Sequence, residues 1–186
     1  MGIAVGAPWS GVMKLALIRL LVAVTTAAAA LAAPGDPHLA WWALAVGGAV
    51  LAVVDAQTLL LPARFVYPLA GVVGCALLTA AVIDRDVSSL FRAVAAALVI
   101  GLLWFGVRFV SPPAMGLGDV RLAALTAGVL GWTGWAIVWQ GQVLIMLCAG
   151  ITAVGMRLAG RVSPGGRAQI PMGPAIIAGS LLVLWL

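Results

Sequence analysis

The sequence predicts an all-α, polytopic membrane protein: a bundle of six to seven transmembrane helices. Three observations carry this. First, 65 % of the 186 residues are hydrophobic and only 8 % are charged, whereas a soluble domain carries about 25 % charged residues. Second, the apolar runs are continuous rather than alternating, which argues against a membrane barrel, and an open sheet cannot satisfy its edges in lipid. Third, charges and Pro/Gly clusters interrupt the chain at intervals near the ~20 residues a helix needs to cross the hydrocarbon core. Disorder is excluded too, since it requires low hydrophobicity and high charge. The chain reads as one membrane-embedded domain over residues 1–186, with the lipid bilayer as its partner.

Helices are expected near residues 15–33, 39–61, 65–83, 90–110, 120–139, 142–157 and 170–186. The first follows Lys14, contains Arg19 and ends in Ala30-Leu31-Ala32-Ala33, so it also resembles a secretory signal. Its cleavage would leave six helices and the same orientation after residue 39. The second follows the polar break Pro34-Gly35-Asp36-Pro37-His38, and the third and fourth are parted by Asp84-Arg85-Asp86. Gly116-Leu117-Gly118-Asp119 precedes the fifth, and the linker from Arg157 to Ala168 follows the sixth. The last segment opens Ile170-Pro171-Met172-Gly173-Pro174, a poor helix interior but a good helix start. Its apolar remainder is short for a full span.

Orientation follows from the positive-inside rule. With the N-terminus inside, Lys14, Arg19, Arg64, Arg108, Arg121, Arg157, Arg161 and Arg167 fall on the inner side, and only Arg85 and Arg92 fall outside. The net charge of +5 is largely this asymmetry and requires no nucleic-acid partner.

Missing residue types narrow the chemistry. The chain has no Glu, no Asn, one His (His38) and two Cys (Cys75 and Cys148). A His-based triad or a zinc site of several His and Cys ligands is therefore not expected, and no metal or cofactor is assigned. Both cysteines sit in apolar runs and read as small packing residues.

The acids sort by side. Asp36, Asp84 and Asp86 belong to outer loops, where solvation suffices, whereas Asp55 and Asp119 lie at inner-side helix ends. Asp55 is followed by further apolar sequence, about 9 Å of helix short of Leu61 at 1.5 Å per residue. A salt bridge to Arg64, Arg108 or Arg121 would be its structural role. Asp119 precedes an apolar run, where an Asp caps free N–H groups and suits the helix dipole. Gly116 and Gly118 ahead of it permit close backbone approach by a second chain. Two carboxylates on one membrane face, with no competing nucleophile, are also the minimum equipment of an aspartic protease. One takes a proton from the attacking water while the other donates to the carbonyl oxygen, the pair holding one proton between them.

These residues carry a resemblance. The chain resembles the type IV prepilin (leader) peptidases, membrane aspartic proteases with a GxGD motif. Asp55, with Pro62 seven residues on, matches the family's first motif; Gly116-Leu117-Gly118-Asp119-Val120-Arg121 matches its GxGDxK; and Pro171-Met172-Gly173-Pro174 matches its Pro-x-Gly-Pro. The similarity covers about residues 39–186. Arg121 replaces the usual Lys, keeping charge but not geometry, and Met172 stands where an aromatic is common. No insert with paired CxxC motifs is present, so the chain looks like the short, peptidase-only form and N-methylation of the product is not expected. The resemblance implies Asp55 and Asp119 as catalytic acids. It also implies a prepilin-like or pseudopilin precursor as substrate, cut between a basic leader and an apolar helix at the cytoplasmic face of a bacterial inner membrane. The readings it competes with are a small proton- or cation-coupled transporter and a non-catalytic membrane assembly protein.

Overall fold

The computed structural model describes residues 37–58, 63–110, 115–160, 171–183 and 186. Over these the chain forms six helices and no strand: α1 (His38–Thr58), α2 (Ala63–Asp84), α3 (Val87–Val110), α4 (Leu117–Thr133), α5 (Trp135–Leu158) and α6 (Met172–Leu182). The expected helix at 15–33, Pro62, the Ser111-Pro112-Pro113 turn and most of the Arg157 to Ala168 linker lie outside the described residues. Within α1, α2, α3 and α5 are segments long and apolar enough to cross a membrane. Their exposed surface is a belt of Val, Leu, Ile and Phe, such as Val82, Phe91, Leu102 and Ile151, as lipid-facing helices require. The protein is a helical membrane bundle.

The bundle is built around α4. This helix touches each of the other five, and 12 of its 17 residues are buried. Around it run α2, α1, α6, α5 and α3, each touching the next. A helix so enclosed needs small residues where its neighbours press closest, because packing rather than hydrophobic exclusion joins helices in lipid. Gly131 shows why: a Cβ there would lie 2.5 Å from Ala96 Cβ and 3.1 Å from Ala93 Cα on α3. Gly179 does the same for α6, where a Cβ would fall 2.5 Å from the backbone N of Ile145 on α5.

Polar groups fasten both ends of α4 to α3. At one end Arg92 of α3 donates through Nε to the Gly131 carbonyl at 2.7 Å and through Nη2 to the Trp132 carbonyl. These carbonyls belong to the last turn of α4, which has no intrahelical donors for them. The same guanidinium donates to Ser89 Oγ at 2.8 Å, and Ser89 donates to Asp86. Asp86 therefore does more than the solvated role expected of it. Its carboxylate caps α3 by accepting from the Ser89 N–H at 3.0 Å and the Ser88 hydroxyl at 2.6 Å. Its own N–H closes the end of α2 on the Ala81 carbonyl, across Arg85 in the left-handed conformation (φ 55°). The bonds from Ser88 and Ser89 hold the Asp86 carboxyl down at about 2, so the cap is ionised at neutral pH.

Two boundaries depart from expectation. The break between the fifth and sixth expected helices falls at Gly134, not near residue 140. Gln142, expected as the first residue of the sixth helix, lies well inside α5 as a buried residue, its Oε1 accepting from Trp104 Nε1 at 2.9 Å. That bond joins α3 to α5, which otherwise meet only lightly. The last helix runs Met172–Leu182 rather than 170–186, roughly 16 Å long. It is too short to span, and it is buried among its neighbours instead.

Gly179→Ala should lower the melting temperature in detergent, because the new methyl meets backbone and overpacking of this kind costs about 1–3 kcal/mol. Gly74→Ala, with nothing within 4 Å of the added carbon, should melt at or above the wild-type temperature.

Candidate active site

Asp55 reaches the bundle interior by helical spacing. Leu44, Gly48, Leu51, Ala52 and Asp55 share the buried face of α1, while Val46 and Val50 are exposed on the other. Apolar packing thus carries the acid inward, to 4 % exposure. Burying a carboxylate without partners is costly. Its partner comes from 118 residues away: the Gly173 N–H donates to Asp55 Oδ2 at 2.7 Å.

That donor explains the Pro171-Met172-Gly173-Pro174 sequence. Pro171 is the N-cap of α6, Met172 its first residue and Gly173 its second. A helix start leaves its first N–H groups without intrahelical partners, but Pro174 in the first turn has none to leave. The Asp55 carboxylate takes the Gly173 N–H, and the positive end of the α6 dipole faces a negative group.

Asp119 solves the same problem within its own helix. Gly116 is the N-cap of α4 and Asp119 the third residue. The Asp119 side chain turns back so that Oδ2 accepts from the Gly116 N–H at 3.0 Å. It caps the loop's N–H from inside the helix rather than standing at the cap position itself. Asp119 is also buried, at 9 % exposure. Of the two motif glycines, Gly116 is exposed and Gly118 is buried, so only Gly116 presents backbone to an approaching chain.

The two acids belong to one end of the bundle. Asp55 is in the last turn of α1 and Asp119 in the first turn of α4, helices that touch. The Asp55 charge acts on the Asp119 carboxyl, as does that of Arg108. Among the described residues Asp55 forms no ion pair with the arginines that might have neutralised it. Arg64 lies over the Phe65 ring at 5.1 Å, Arg121 lies over the Tyr67 ring at 5.2 Å, and Arg108 donates to the Met115 carbonyl. Arg121, the motif's basic residue, is thus turned to α2. Arg108 was read as an inner-side positive charge and as one of three possible salt-bridge partners of Asp55. Its bond to Met115, just before the Gly116–Asp119 motif, leaves no signal in the sequence pattern.

Each anchored carboxyl uses one oxygen, Oδ2, for its backbone donor. Two buried carboxyl groups thus stand at one end of a membrane bundle, and each accepts a backbone N–H through one oxygen. Among the described residues no group of three or more His, Cys, Asp or Glu could hold a metal ion.

Such a fold and site define a class, the helical membrane proteins with intramembrane carboxyl pairs. The family model of the type IV leader peptidase family matches residues 42–157, more than half of the chain, and the chain belongs to that family. It is accordingly a peptidase by kinship. The match includes Asp55 and Asp119 and stops before Pro171, whose helix the structure ties back to Asp55. No curated protein and no solved structure matches the chain.

Asp55→Ala should destabilise the bundle by about 1–3 kcal/mol, because it leaves the buried Gly173 N–H without an acceptor. Asp55→Asn retains a carbonyl oxygen for that bond and should melt close to wild type. Thermal unfolding in detergent, followed by size-exclusion recovery, separates the two.

Proposed function

We propose that the chain is an aspartic endopeptidase of the inner membrane. It cuts the basic leader from type IV prepilin-like or pseudopilin precursors, with Asp55 and Asp119 as its catalytic pair. The observation that carries this is the placement of two buried carboxyls at one end of the bundle, each held by a backbone N–H. A transport path would favour acids at mid-membrane, whereas both stand within a turn of a helix end.

The chemistry is general acid–base hydrolysis. The ionised carboxyl takes a proton from water as its oxygen attacks the scissile carbonyl carbon. The protonated carboxyl gives its proton to the carbonyl oxygen, forming a neutral tetrahedral diol. Collapse of the diol breaks the C–N bond, the amine leaves with a proton, and the pair again holds one proton. Gly116 supplies exposed backbone beside Asp119 for an extended substrate segment. Family membership supports a substrate with a leader ahead of an apolar helix. Arg64, Arg108, Arg121 and Arg157 lie at the end of the bundle that carries Asp55 and Asp119, whereas Arg85 and Arg92 share the opposite end with Asp84 and Asp86. That distribution supports a cytoplasmic site.

Asp55→Asn and Asp119→Asn should each abolish leader cleavage of a co-expressed pilin-like precursor, read as a gel shift at matched protein levels. Asn keeps the shape but cannot ionise. The double variant should lose little more than either single one, since each already removes the mechanism. Normal processing by either variant rejects the aspartic-protease reading.

Orientation has its own test. In a chain with Cys75 and Cys148 replaced by Ala, a cysteine at Ala159 should be blocked from a membrane-impermeant maleimide applied outside, and one at Val87 should label. Outside labelling at residue 159 would remove the cytoplasmic cleavage site.

A further inference from the structure

We infer that Arg108 is a positioning residue for Asp119, acting through the Met115–Gly116 peptide. The inference rests on the reading of Asp119 as a catalytic acid and adds a residue that the motifs do not contain.

The connection is a chain of three groups. Arg108 Nη1, from the last turn of α3, donates to the Met115 carbonyl. The N–H of that same peptide unit, at Gly116, donates to Asp119 Oδ2 at 3.0 Å. A trans peptide is planar, with its C=O and N–H pointing in opposite directions. The cation and the carboxylate therefore sit at the two ends of one rigid amide. Two consequences follow. The guanidinium fixes the plane of the peptide, and with it the direction in which the Gly116 N–H points. It also polarises the amide, which makes that N–H a stronger donor to the carboxylate. Arg108 acts on the Asp119 charge through space as well.

Its surroundings make this placement a specific one. Phe109 and Val110 beside it are 79 % and 84 % exposed. An Arg at such a helix end has open routes to the headgroup region and needs no protein partner. Arg108 is instead half-buried and turned to the loop before α4. Arg121, inside the motif, stacks on Tyr67 and is not among the charges that act on Asp119. Arg108 also makes the two carboxyls inequivalent. Each is bonded by a glycine N–H at a helix start, but among the described residues only the donor to Asp119 is backed by a cation.

The test uses the full-length protein in detergent or nanodiscs with a purified leader-bearing precursor, and kcat and KM are measured separately. Asp119→Asn is run first. If it cleaves normally, the catalytic reading fails and Arg108 has nothing to position. With Asp119→Asn inactive, Arg108→Met should lower kcat on the order of 10- to 100-fold, the scale of a lost hydrogen bond to a charged group, with KM little changed. Arg108→Lys, which keeps the cation, should recover a large part of that loss. Arg92→Met removes the equivalent clamp at the other end of α4 and should lower the melting temperature while leaving kcat per folded molecule unchanged. Arg108→Gln keeps an N–H donor for the Met115 carbonyl but loses the charge. It should fall roughly tenfold, and it decides the matter if Arg108→Met does not fold. A folded Arg108 variant lacking the charge, with kcat within about twofold of wild type, overturns the inference.

Discussion

The rest of the site depends on the bond from the Gly173 N–H to Asp55. A carboxylate on the buried face of a lipid-embedded helix must find a donor, and the bundle offers few. Water is scarce in lipid, Arg64, Arg108 and Arg121 are engaged elsewhere, and the chain has no Asn to help. A helix start is the one reservoir of unspent N–H groups an all-α protein always has. Asp55 draws on α6 and Asp119 on the loop that opens its own helix. Both acids are therefore tied to backbone, whose position is set by whole helices rather than by side-chain rotamers. This explains why α6 exists as a short piece. At roughly 16 Å it cannot span, but its buried first turn brings the positive end of a dipole to an acid.

The other constraint is the length of α4. Arg92 and Arg108 stand 16 residues apart on α3 and grip carbonyls just inside one end of α4 and just before the other. Sixteen residues of helix rise about 24 Å, close to the length of the 17-residue α4. One straight helix thus fixes both termini of its neighbour, and the small residues between them, Gly131 against Ala96 among them, let the two lie close. The two bonds do separate work: Arg108 holds the Asp119 end through the Met115 carbonyl, and Arg92 holds the opposite end through the Gly131 and Trp132 carbonyls.

Much of this was legible in the residues, and for physical reasons. Asp55 falls on the stripe of Leu44, Leu51 and Ala52, so helical periodicity alone directs it inward. The two prolines of the last motif advertise a helix start, because only there is a missing N–H harmless. What stayed hidden shares one property: it depends on hydrogen-bond partners that no periodicity or charge count marks. The positive-inside rule counts Arg92 and Arg108 as loop charges, and nothing in charge patterning tells that each will turn onto a carbonyl. Asp86 looked like a solvated acid because its cap depends on Ser88 and Ser89 folding back onto it. The burial of Gln142 left no signal because its partner, Trp104, lies 38 residues away on another helix. The break was placed at Gln140 and Gly141 rather than at Gly134 because a polar residue beside a glycine mimics a turn.

Anchoring by backbone also bears on how a peptidase in lipid can work at all. The donor that makes a buried carboxylate tolerable also opposes its chemistry if it holds the group too firmly, since a catalytic acid must gain and lose a proton while water and a peptide bond arrive. Binding through Oδ2 alone is a compromise between these demands. One oxygen is held, which aims the group, and in the proposed hydrolysis the proton would move at the other. A full ion pair would hold each acid as a permanent anion, and a fully apolar lining would hold it neutral. On Asp119 the balance is finer than on Asp55, because Arg108 backs its donor without touching it. A cation placed one amide away stabilises charge without occupying an oxygen, which leaves the carboxyl both directed and free to react.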